Sequence, residues 1–221
     1  MSQNQQQTIS KFIGFLFLLP LLSYGIGDAL LTGPLSQGDT LAHQSASQPS
    51  MIIGALLMLI NSLTVVLLGI MLFPILHRYH PLTARSYLSS RLLEAVLLLI
   101  GLVALLSLLS LSQTLSADEL AEASILKTWA LAAHRYAYQL AMIVLGVGSL
   151  SFCLILFRTK LIPAFLAIWG LIGYVLLAAG AVAELFGYPI GIALSLPGGV
   201  FELTFGIWLM VKGFSFPSDS E

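Results

Sequence analysis

Six stretches of this chain, near residues 12–32, 51–76, 84–112, 129–157, 161–185 and 190–213, are almost continuously apolar. A helix needs roughly 20 such residues to cross a hydrocarbon core of about 30 Å, so each stretch is long enough to span a bilayer. Lipid offers no water to satisfy backbone N–H and C=O groups, which leaves only helices and closed barrels as spanning structures. Barrel strands alternate apolar and polar residues, and these runs do not. The expected fold is therefore all-α: a polytopic membrane protein built as a six-transmembrane-helix bundle. Composition agrees, with 58% hydrophobic and 9% charged residues, where soluble domains carry about 25% charged. The polar stretches are all short, so residues 1–221 read as a single integral membrane domain. The first run has a second reading, as a signal peptide. A signal core is only about 7–15 residues, and no small-x-small cleavage pattern closes this one.

Lysine and arginine placement sets orientation. Lys11, Arg78, Arg85, Arg91, Arg158, Lys160 and Lys212 fall on one side, and only Lys127 and Arg135 on the other. That asymmetry predicts cytoplasmic termini, with loops 33–50, 113–128 and 186–189 outward. Short loops make sequential helices antiparallel neighbours. In the second outer loop Ser116 and Glu119 have capping-box spacing, which favours a helix start there. Trp129 follows at the expected headgroup level. Two offsets hint at a parallel internal repeat: Phe15/Phe165, Leu16/Leu166, Leu21/Leu171 and Tyr24/Tyr174 in spans one and five, and Gly54/Gly191, Gly69/Gly206 and Leu72/Leu209 in spans two and six. Leucine-rich helices also align this way by chance.

Polar residues inside spans usually face protein or water, because lipid penalises them by a few kcal/mol each. Glu202 and Asn61 fall near mid-membrane, and Glu94 about one turn inside the cytoplasmic edge, with Arg91 below it. Gly198, Glu202 and Gly206 are four apart and share one helix face; small residues there admit a neighbouring helix, so the carboxylate should turn inward. Pro197, Gly198 and Gly199 predict a kink beside it, because proline removes a backbone donor. Two readings of Glu202 stand: a binding site for substrate or ion, or a packing acid hydrogen-bonded to Asn61 or Arg91. Arg91 and Glu94 either pair at the interface, with Arg91 snorkelling to phosphates, or Arg91 turns inward and bridges Glu94 and Glu202. An outer group, Asp28, His134, Arg135, Gln139 and Glu184, reads as ordinary rim chemistry or as a vestibule. If Asp28, Glu94, Glu184 and Glu202 shared one interior with Arg91 and Arg135, the excess negative charge would need protons or a cation.

Other chemistries find no support. The one cysteine, Cys153, allows no intrachain disulfide and no cysteine metal cage. His77 and His80 have a spacing that permits a metal, but no carboxylate or cysteine lies near them in sequence, so no metal and no cofactor is expected. GxSxG, HExxH and phosphate-binding glycine loops do not occur. Net charge −1 gives no field for nucleic acid.

Residues Arg91 to Ala95, "RLLEA", followed by a leucine run, and the final helix "LPGGVFELTFGIWLMVKGF" resemble a bacterial family catalogued as domain of unknown function 4386. The resemblance covers nearly the whole chain. It implies a bacterial multi-pass membrane protein, carries no activity, and points to Arg91, Glu94 and Glu202 without saying why. Three function classes follow. The first binds or transports a small amphipathic or cationic molecule, or protons, at Glu202. The second is a structural, accessory or sensing protein working through membrane partners or its own copies. The third, an intramembrane enzyme, ranks last, since no nucleophile–base pair supports it. The bilayer itself is the partner common to all three.

Overall fold

The computed structural model describes residues 3–36, 48–114 and 124–216. They form six helices: α1 Gln3–Ser36, α2 Gln48–His77, α3 Pro81–Thr114, α4 Ser124–Thr159, α5 Ala164–Leu185 and α6 Gly191–Val211. Each apolar run has become one helix, and all six are long and apolar enough to cross a membrane. The largest departure from the expected bounds is at the front of α1. It starts at Gln3 because "QNQQQT" contains no glycine or proline to stop a helix. The capping pair Ser116 and Glu119 lies outside the described residues.

Helix lengths fall in two classes. α5 and α6, at 22 and 21 residues, rise about 32 Å and match a bilayer core. α1 to α4, at 30 to 36 residues, rise about 45–54 Å, so they tilt or run past the hydrocarbon. Each helix packs on its sequence neighbours, and α6 returns to pack on α1. The result is a closed ring. With six spans, both chain ends lie at one end of it, here called the terminal end.

Glycines make the ring tight. A Cβ on Gly27 would sit 2.8 Å from the Gly54 carbonyl oxygen, which brings α1 against α2. One on Gly173 would sit 2.8 Å from the Gly198 Cα, which joins α5 to α6. In lipid, helices gain no hydrophobic attraction for each other, so such close van der Waals contact holds them. Toward the terminal end the interior is aromatic. Phe17, Tyr87, Phe152 and Phe205 are fully buried, with Phe17–Phe205 and Tyr87–Phe152 centroids each 4.8 Å apart. Gly213, at φ 74°, ends α6, and the Phe214 N–H then donates to Ser10 Oγ at 3.2 Å. That bond fastens the tail to α1. Outside, Ile53, Ile60, Leu67, Ile100, Val103 and Val147 are exposed, an apolar coat suited to lipid.

Candidate functional site

Above the aromatic layer the ring encloses a cavity of ≈ 220 Å³. Its polar lining comes from five helices: Tyr24 on α1, Asn61 on α2, Arg91 and Glu94 on α3, Tyr138 on α4 and Glu202 on α6. The rest is mainly aliphatic, including Val65, Leu68, Leu98 and Leu145. An engineered apolar cavity of about 150 Å³ holds benzene. By proportion this one takes about nine non-hydrogen atoms.

Arg91 and Glu94 are three apart on α3, which puts both on the face turned to the cavity. Both are 3% exposed, and Arg91 Nη1 donates to Glu94 Oε2 at 2.6 Å. Arg91 Nε donates to the Tyr87 hydroxyl at 3.1 Å, and the guanidinium lies 5.4 Å from that ring's centroid. Arg91 therefore does not snorkel to the interface. It faces inward, yet it forms no ion pair with Glu202. Glu94 reaches the same cavity as Glu202.

Glu202 is held from another side. Gly206 faces Gly14 of α1 and Gly198 faces Gly173 of α5, so the residue between them points inward, as the small-residue stripe predicts. Its partner is neither Asn61 nor Arg91. The Tyr174 hydroxyl on α5 donates to Glu202 Oε1 at 2.8 Å. Among the described residues Oε2 accepts no hydrogen bond. Glu202 is also partly exposed, unlike Arg91 and Glu94. Asn61 is 3% exposed, lines the cavity and has no hydrogen-bond partner among the described residues. The site thus holds one neutralised ion pair, one carboxylate without a counter-ion among the described residues, and one free amide.

Pro197, Gly198 and Gly199 lie within α6, which stays helical through Pro197. Gly198 packs closely against Gly173 of α5, and a Cβ on Gly199 would meet nothing within 4 Å.

The outer group does not assemble. His134 Nε2 and Asp28 Oδ1 are 2.9 Å apart and tie α4 to α1. Glu184 Oε1 instead accepts the Gly191 N–H at 3.0 Å, where the first turn of α6 has free donors. Gln139 and Glu184 line a separate pocket of only ≈ 50 Å³. Arg135 is exposed and pairs with no described acid. His80 Nδ1 accepts the Thr83 N–H at 3.2 Å and so caps α3. No group of metal-ligating side chains forms among the described residues.

Sequence reading missed the tyrosines. Tyr24 and Tyr138 stack at 5.2 Å between centroids and line the cavity, and Tyr174 anchors Glu202. A hydroxyl inside an apolar span was the available signal, since a buried Tyr O–H usually finds a partner.

A ring of six membrane-capable helices around a small polar cavity defines a multi-pass helical membrane protein. The chain belongs to the family described as Domain of unknown function (DUF4386), whose model matches residues 12–213. No curated protein and no solved structure matches it.

Proposed function

We propose that the cavity binds a small cationic molecule, an amine or amine-headed amphipath, through Glu202. The observation that carries this reading is the unpaired Oε2 of Glu202 in a cavity whose one arginine is already committed to Glu94. A half-buried carboxylate without a counter-ion is unfavourable, and a cationic guest supplies the missing charge. The ammonium donates to Oε2 and to the Asn61 carbonyl oxygen. The Tyr24 and Tyr138 ring faces add cation–π attraction of about 0.5–2 kcal/mol. The lysine and arginine distribution supports cytoplasmic termini, and the resemblance to a bacterial family supports a bacterial inner membrane.

Titration of n-octylamine against the purified chain tests the site. Glu202→Gln keeps an acceptor for Tyr174 but no charge, so affinity should fall at least tenfold. Equal affinity in the two proteins sinks the proposal. A structural role is favoured by one observation, the Tyr174–Glu202 bond joining α5 to α6. If that bond is the whole purpose of Glu202, Tyr174→Phe and Glu202→Ala will destabilise equally and the wild type will bind no amine.

A further inference from the structure

The seam between α1 and α6 is closed at the terminal end. A Cβ on Gly14 would meet the Gly206 carbonyl oxygen at 2.5 Å, and one on Gly206 would meet Leu18 Cδ2 at 2.7 Å. Farther along, the same two helix faces stand apart. Eleven residues make about three turns, so Gly25 looks in the direction of Gly14. Seven residues make about two turns, so Gly199 looks in the direction of Gly206. Yet a Cβ on Gly25 or Gly199 meets nothing within 4 Å. Gly25 is exposed and also lines the cavity, as do the partly exposed Pro20 and Leu21. Pro20 stands where the helices part, and proline favours a bend there. Glu202 lies between Gly199 and Gly206, at the inner end of the gap. Its margins, Leu22 and Ile26 on α1 and Leu196, Val200 and Leu203 on α6, are exposed and apolar.

We propose that this cleft is a lateral mouth, open to the lipid, for a single-chain amine whose ammonium sits at Glu202 and whose alkyl chain lies between α1 and α6. The inference rests on the reading of Glu202 above. Size favours it: a guest longer than about nine non-hydrogen atoms overfills the cavity, and the mouth is where the remainder has room. Charge selects the head. An amine lipid with a phosphate would bring an anion to a lining whose only cation, among the described residues, is Arg91 in its pair with Glu94. The guest is therefore an amine without phosphate.

The test fills the mouth. Gly199→Trp starts from a position where a Cβ meets nothing within 4 Å, and Val200→Trp enlarges an exposed residue of the same margin; neither lines the cavity, so both should fold. Val147→Trp, on the exposed outer face of α4, is the control. Binding of n-dodecylamine and n-butylamine is measured for each. Either filled variant should lose tenfold or more in dodecylamine affinity and keep butylamine within about twofold, while the control binds both as wild type does. Dodecylamine bound equally well by the filled variants, with Glu202→Gln still losing both amines, removes the mouth and leaves the site. Loss of both amines in the filled variants also overturns it, as does displacement of dodecylamine by phosphatidylethanolamine in nanodiscs. Gly199→Val, a smaller plug, repeats the comparison if a tryptophan variant misfolds. Unchanged butylamine binding in Glu202→Gln locates the failure in the site reading itself.

Discussion

Arg91 and Glu94 are the most deeply buried charges among the described residues, and their 2.6 Å contact is the reason they are tolerated. Removing one partner strands the other, which typically costs about 3–5 kcal/mol, whereas replacing both by apolar groups is often near neutral. Arg91→Leu should therefore lower thermal stability in detergent sharply, and Arg91→Leu with Glu94→Leu should recover most of it. Tyr174→Phe removes one interhelical bond, worth about 1–2 kcal/mol at most in a bilayer. A small loss of stability with octylamine binding kept within a few fold is the expected outcome. The inward turn of Glu202 was legible because Gly198 and Gly206 flank it at helical spacing. Its partner was not. Which side chain of another helix meets it depends on how α5 is rotated, and no local pattern around Tyr174 encodes that.

At the scale of elements, hydropathy located all six helices because lipid leaves the backbone no alternative structure. Their ends were less legible: α1 gains its extra turns from a glutamine run that is polar yet helix-compatible. The glycines shared between spans two and six do comparable work. Gly54 and Gly191 each face the preceding helix, Gly69 faces the following one, and Gly206 faces α1, the next around the ring. The two ends of the α1–α6 seam make opposite predictions for substitution. Gly14→Leu forces a side chain into the backbone of α6 and should cost about 1–3 kcal/mol or prevent assembly. Gly25→Ala adds a Cβ in open space, removes backbone freedom from the unfolded chain, and should gain up to about 1 kcal/mol. Paired thermal melts in one detergent check both.

For the whole molecule, closure of α6 on α1 turns a row of spans into a ring with an interior, and Glu202 lines that interior. The ring was not legible in the sequence; short loops implied neighbours but not that the last helix meets the first. The proposed orientation, with cytoplasmic termini, predicts that a green fluorescent protein fused after Glu221 fluoresces and an alkaline phosphatase fused there is inactive; the reverse pattern would invert the topology. A cationic guest held in the cavity at Glu202, as proposed, should survive gentle extraction. Native mass spectrometry of the chain released gently from its own membranes, beside Glu202→Gln, tests it most directly. An amine-bearing adduct should appear on the wild type and be missing from the variant. A clean protein mass for both, or the same adduct on both, would contradict it.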